Sequence, residues 1–313
     1  MGIFYPANLD KIVHISQNGT LYQLDSFWKM TAIYDKLKEK YSITVVDTQQ
    51  ANKELFLHFH SHEFVEALLS GKQREKYIES CGVFWQPWLP IVMANRANAT
   101  LQAVQSLLAG KSLSILISDA GHHTTPHQAF GFGPINSLGI ALYSLQKELA
   151  DKKVAILDLD THRSNGFSFI EMPNVRLYDL WNQALEKWPV NTKNPNYVSR
   201  EVHSVTDYID RLNEVFHDIR VFDPDILIYY SGADVLETDR MHGIPGITEE
   251  VFLQREARVV AFAKEIGTKL MISIGGGYVH YIGGEKDIQK SRKKLVSYHL
   301  YTIKEAIKAY SLQ

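Results

Sequence analysis

Asp158, Asp160 and His162 recur at every second position behind the apolar run 154–157. If a strand continues through them, all three side chains point to one face. Two carboxylates and an imidazole form a hard-to-borderline ligand set suited to Zn²⁺ or Fe²⁺. Left unpaired, buried acids repel and are costly to desolvate, and a cation relieves both penalties. The alternative is a solvated strand end. Asp234 follows a second apolar run, 226–230, through the turn Ser231-Gly232-Ala233. Alone it reads as a helix cap. With Asp160 and His162 it makes three ligands plus an open position for water, the layout of a catalytic metal site. The doublet His122-His123 supplies proton carriers for neutral pH, or else a structural pair. Tyr278, beyond the run Gly275-Gly276-Gly277, can donate to a developing oxyanion, or simply pack a glycine-rich loop.

Such residues need elements that bring them to one place. Apolar, β-branched runs predict strands at 43–46, 113–117, 154–160, 226–230 and 270–274. Helical patterns lie between them at 94–108, 135–150, 205–222 and 249–266. Continuously apolar strands alternating with helices predict an α/β fold, a three-layer α/β/α domain with a mostly parallel central sheet. Ligands bind such sheets at the carboxyl ends of the strands. Polar residues follow four of the five strands at that edge, in segments 118–123, 158–162, 231–234 and 275–278. No repeat or low-complexity linker marks a boundary, so residues 1–313 are expected to form one catalytic domain.

Charge and composition exclude other classes. Lys+Arg total 33 and Asp+Glu 35, and a net charge of −2 supplies no basic field for nucleic acid. The one cysteine, Cys81, rules out an internal disulfide and a thiolate zinc cluster, and it reads as inert. No apolar run approaches the roughly 18–20 residues that span a bilayer, so no membrane partner is expected. The N-terminus lacks a basic stretch followed by an apolar one, and a cytoplasmic location is the expectation.

Together the motifs resemble the zinc-dependent histone deacetylase family of the arginase/deacetylase superfamily. Gly121-His122-His123 and the later Gly131-Phe132-Gly133-Pro134-Ile135-Asn136 are similar to its His-His segment and the stretch after it. Asp158-Leu159-Asp160-Thr161-His162-Arg163-Ser164-Asn165-Gly166 resembles its aspartate-rich segment, and 231–234 and 275–278 supply the rest. Asp234-Val235-Leu236-Glu237-Thr238-Asp239-Arg240 and Tyr178-Asp179-Leu180-Trp181-Asn182 resemble class IV members, and the compact length suggests a bacterial one.

The resemblance implies that Asp160, His162 and Asp234 bind Zn²⁺, with Fe²⁺ as the other metal. It makes His122 and His123 the acid–base pair, with Asp158 orienting His122 and Asn165 partnering His123. Tyr278 would stabilise the tetrahedral oxyanion. Phe132, beside Gly131, would wall a narrow channel for a lysine's methylene stem. Asp158, Asp160, Asp179 and the backbone near Leu180 would hold a structural K⁺ or Na⁺. The implied reaction is hydrolysis of an N-ε-acyl-lysine amide in a protein or peptide. Hydrolysis of an acetylpolyamine or another small acyl-amine is the alternative, and a non-catalytic acyl-lysine binder a third reading. Class IV character also implies tolerance of long acyl chains, which needs an open apolar floor beyond the metal. Arg163 and Ser164 make that neighbourhood polar, which would instead favour a short hydroxylated acyl such as lactyl, and a preference not limited to acetyl is expected. Three departures stand out. Ser164 replaces a usual glycine, the glycine run before His122 is reduced to Asp119-Ala120-Gly121, and Arg163, expected to point outward, follows a ligand. His58, His60 and His62 are read as the entry to a helix, with His60 structural.

Overall fold

A computed structural model describes residues 1–12, 14–15, 21–22, 25–182, 188–239, 243–278 and 285–311. Its strands are β1 (Gly2–Pro6), β2 (His14–Ile15), β3 (Leu21–Tyr22), β4 (Thr44–Val46), β5 (Leu113–Leu116), β6 (Val154–Asp158), β7 (Val175–Trp181), β8 (Tyr197–Glu201), β9 (Ile226–Ser231) and β10 (Lys269–Ile274). Its α-helices are α1 (Asp25–Leu37), α2 (Lys53–Leu57), α3 (His62–Ser70), α4 (Arg74–Tyr77), α5 (Leu89–Leu108), α6 (Ser137–Ser144), α7 (Val205–Phe222), α8 (Glu249–Glu265) and α9 (Glu285–Ser311).

Every residue of β5, β6 and β9 is buried, which is why these segments read as unbroken apolar runs. Eight strands pair in parallel in the order β4-β1-β5-β10-β9-β6-β7-β8. Helices cover the sheet, as the sequence predicts: α5 packs on β1, β4, β5 and β10, α8 on β10, α9 on α8 and β5, and α7 on β7. A separate antiparallel pair joins β2 to β3.

Helix limits follow local chemistry. The Ser204 hydroxyl accepts the Asp207 N–H at 3.2 Å, and Asp223 takes the left-handed conformation that ends α7, so this helix matches its expected limits. Helix α5 starts at Leu89, ahead of expectation, because Pro90 is tolerated in a first turn. Helix α6 stops at Ser144, short of the expected 150. One correction bears on the site. β6 ends at Asp158, not at 160, because Asp158 Oδ1 accepts the Asp160 N–H at 3.1 Å. That local turn withdraws the backbone from the ladder. Strand alternation therefore does not aim Asp160 and His162; the turn does.

Arg240 lies outside the described residues. Among the described residues, no helix is long and apolar enough to cross a membrane.

Candidate metal-centred active site

Asp160, His162 and Asp234 meet at the carboxyl ends of β6 and β9, all buried, with one ligand atom from each within 4.8 Å of the others. His162 Nδ1 lies 3.1 Å from Asp160 Oδ1 and 3.2 Å from Asp234 Oδ2. Burial by itself lowers the His162 pKa, yet the two carboxylates raise it to about 10, so the ring's proton sits where a cation would. Burial, then the charge of Asp160, pushes Asp234 up to about 6. The donor set therefore fits one divalent ion, which would remove both penalties. Gly276 makes the close approach possible: a Cβ there would stand 2.0 Å from Asp234 Oδ2, and its N–H donates to Asp160 Oδ2 at 2.8 Å.

The histidine doublet arrives on the loop after β5. The two rings lie 3.9 Å apart between centroids but have different partners. His122 Nδ1 donates to Asp158 Oδ2 at 3.0 Å. Burial opposes its charge, but Asp158 and Asp160 outweigh that and raise it to about 9. His123 Nδ1 lies 2.7 Å from Asn165 Oδ1, while Asn165 Nδ2 donates to the His123 carbonyl at 3.0 Å. That second bond fixes the amide, so Oδ1 accepts, Nδ1 carries the hydrogen and Nε2 keeps its lone pair. Burial, then the charges of His122 and His162, holds the His123 pKa well below its usual range. The doublet is thus one charged and one neutral imidazole.

Tyr278 follows the glycine run and is anchored by its N–H, which donates to Asp239 Oδ2 at 2.7 Å. It lines a channel of ≈ 310 Å³ with His123, His162, Gly131, Phe132, Trp188 and Cys81. Its ring stands 6.1 Å from that of Phe132. Gly131 is required where it stands, because its φ is +57° and a Cβ would meet His123 at 2.0 Å. Burial pushes the Cys81 thiol up to about 12, so it is no nucleophile. A second, much smaller cavity, ≈ 20 Å³, is lined by His122, Asp160, Met30, Asp119 and Tyr230 among others. Among the described residues it leaves little of the open floor expected for long acyl chains.

The expected monovalent-cation residues also converge. Asp158 and Asp179 sit opposite each other in the β6–β7 register. Asp179 Oδ2 accepts from Tyr197 Oη at 2.6 Å and from the Ser164 N–H at 3.1 Å, whereas buried Asp179 Oδ1 and Ser164 Oγ have no hydrogen-bond partner. Burial, then the charge of Asp158, raises Asp179 to about 7. Leu180 follows in β7. The donor set fits a cation. Ser164 shows no positive φ, so replacing glycine brings no backbone strain there. Arg163 does not point simply outward: its guanidinium lies 5.1 Å from the Trp181 ring and 5.7 Å from that of Tyr197, and Nε donates to Tyr197 Oη at 3.1 Å. His60 is structural, its Nε2 accepting the Asn136 N–H at 3.1 Å.

Sequence reasoning missed Trp188 and three buried cations. Trp188 packs edge-on to His123 at 4.7 Å and lines the channel; an aromatic followed by Pro189 in a patternless stretch was the only signal. Lys29 Nζ donates to the carbonyls of Gly275, at 2.6 Å, and Gly277, at 3.3 Å, behind the Tyr278 loop. Arg96 Nη2 donates to Asp119 Oδ1 at 2.6 Å, and that oxygen also accepts the Gly121 N–H at 2.8 Å ahead of the histidines. Arg255 stands behind the metal ligands. A cation on the apolar face of a helical pattern is the mark they share.

The chain matches the histone deacetylase domain family model over residues 24–289. It is 25% identical over 254 residues to histone deacetylase 2 of Arabidopsis thaliana, covering 78% of this chain but 65% of that protein, less than two thirds of its length. It is 24% identical over 267 residues to a polyamine deacetylase of Danio rerio, covering 74% and 38%. In fold it is similar to an acetylpolyamine aminohydrolase from Burkholderia pseudomallei, with a TM-score of 0.74 over 99% of both chains at 15% identity.

Proposed function

The chain belongs to the histone deacetylase domain family, and from that premise we propose that residues 1–313 form one metal-dependent amidohydrolase unit acting on N-ε-acyl-lysine in proteins or peptides. The observation that carries this reading is the convergence of Asp160, His162 and Asp234, with His162 lining a channel shared by His123 and Tyr278.

Asp160, His162 and Asp234 would hold Zn²⁺ or Fe²⁺, which when bound polarises a carbonyl and lowers the pKa of water. The remaining work falls to the chain's own groups. Phe132, Trp188 and the Tyr278 ring surround the methylene stem and exclude bulk water. His123, neutral with a free lone pair on Nε2, takes a proton from the attacking water and returns it to the leaving amine nitrogen as the C–N bond breaks. His122, held charged by Asp158, keeps a proton on Nε2 and favours negative charge developing beside it. The Tyr278 hydroxyl donates to the carbonyl oxygen as it gains charge. A cavity of ≈ 20 Å³ beside His122 is far smaller than a fatty chain needs, which favours a short acyl group.

Initial-rate measurements on one peptide carrying acetyl-, lactyl-, octanoyl- or myristoyl-lysine, alongside acetylspermidine, test the reading. The expected result is a kcat/KM for acetyl-lysine at least about tenfold above those for octanoyl and myristoyl, about 1.4 kcal/mol of transition-state discrimination. Preference for acetylspermidine would overturn the lysine assignment, and no hydrolysis of any acyl amine would overturn the function.

A further inference from the structure

We propose that the buried pair Arg255–Glu256 is a positioning device that sets the separation of the two carboxylate ligands, so that metal affinity depends on it. The inference rests on the metal site of the preceding section and concerns residues outside it. Arg255 is 3% exposed and Glu256 is fully buried, although they are consecutive on α8. One guanidinium bridges two strand ends: Nη1 donates to the Leu159 carbonyl at 3.1 Å and Nη2 to the Gly232 carbonyl at 2.7 Å. Leu159 immediately precedes Asp160, and Gly232 lies two residues before Asp234. The two backbones approach closely at this point, where a Cβ on Gly232 would stand 2.6 Å from Asp160 Cα and 2.8 Å from Asp234 Oδ1. The Leu159 N–H still donates to the Tyr230 carbonyl at 3.2 Å, and beyond that bond each chain turns into its own ligand loop.

Glu256 fixes the guanidinium in turn. Its Oε1 accepts from Arg255 Nε at 2.7 Å and from Tyr229 Oη at 2.5 Å; its Oε2 accepts from Ser231 Oγ at 2.9 Å and Thr302 Oγ1 at 2.7 Å. Arg255 Nη1 also donates to Tyr208 Oη at 3.1 Å. The pair thereby ties α7, α8, α9 and β9 to the two ligand-bearing ends. A buried ion pair is often no more stabilising than apolar side chains of similar volume. What apolar packing cannot supply is a rigid fork of donors that holds two carbonyls at a set separation. Groups that orient metal ligands in this way typically change metal affinity about 10–100-fold when lost.

The test uses the full chain stripped of metal, with zinc Kd measured by competition against a chromophoric chelator, the visible spectrum of the Co²⁺-loaded protein, and the Tm of the metal-free form. Arg255→Met should weaken zinc binding about 10–100-fold and shift the Co²⁺ bands. Arg255→Lys, whose ammonium cannot fork to both carbonyls, should fall between it and the unmodified chain, and Glu256→Gln should weaken binding as well. A merely structural role would lower the metal-free Tm and leave Kd and spectrum alone. If Arg255→Met does not fold, the other two variants decide. Unchanged zinc Kd in Arg255→Lys and Glu256→Gln, whatever their Tm, overturns the inference. Failure of the unmodified chain to bind one zinc overturns the metal site itself, and this inference with it.

Discussion

An amide rather than a carboxylate partners His123, so that bond brings no charge to offset the burial and the charges of His122 and His162 that keep the ring neutral. Asn165→Asp would place a negative charge 2.7 Å from His123 Nδ1 and favour the protonated ring. Because the base must be unprotonated to act, the acid limb of the kcat/KM profile should move to higher pH, by about one unit or more. A limb that stays in place would assign the base elsewhere. Tyr278→Phe should keep zinc stoichiometric and lower kcat about 10²–10³-fold, read by metal analysis and initial rates together. At this scale much was legible. Ligand-type residues behind apolar runs marked Asp160, His162 and Asp234, because buried charge without a partner is costly. Trp188 was not legible, since an aromatic side chain in an irregular segment carries no periodicity to reveal what it faces. Arg163 was misjudged for a similar reason: the rings of Trp181 and Tyr197 that receive it come from β7 and β8, remote in sequence.

The elements that aim these side chains are loops, and each is held from behind by a helix. Lys29 on α1 reaches the glycine run that carries Tyr278, and Arg96 on α5 reaches the segment that carries the histidines. Lys29→Met would remove the donor to the Gly275 and Gly277 carbonyls and let Tyr278 drift. A misplacement of about 1 Å can cost ~10²-fold, so kcat should fall at least about tenfold. Because Gly276 also donates to Asp160, zinc binding should weaken too, but by less than kcat falls; an unchanged kcat would show that the run does not position the tyrosine. Strands β5, β6, β9 and β10 were legible as apolar runs. β7 was not, because Asp179 interrupts its run, nor was β8, whose residues are only partly buried or exposed. The end of β6 was read two residues late, because the side-chain bond that stops it does not alter the alternation of residue types.

Across the whole molecule, eight parallel strands deliver four loops to one edge, and a sequence read strand by strand indicates that edge before any contact is known. Contacts between distant segments were the part it could not supply; His60, bonded to the Asn136 backbone at the entry to α6, is one of them. Burial lowers the His60 pKa to about 3. The unfolded chain therefore takes up a proton that the fold refuses: this contribution is complete above pH ~6.5 and is lost as pH falls toward 3, at about 1.4 kcal/mol per unit. Denaturant unfolding from pH 7 to pH 5 should be steeper in pH for the unmodified chain than for His60→Gln, and parallel curves would remove His60 as the cause. The central claim, hydrolysis that depends on a metal at Asp160, His162 and Asp234, is tested most directly by titrating zinc into the metal-free chain and following acetate release from an acetyl-lysine peptide. The rate should rise linearly and level off at one equivalent, with no such rise for Asp234→Ala. A metal-free chain as active as the loaded one, or an Asp234→Ala variant that titrates like the unmodified protein, would contradict the account.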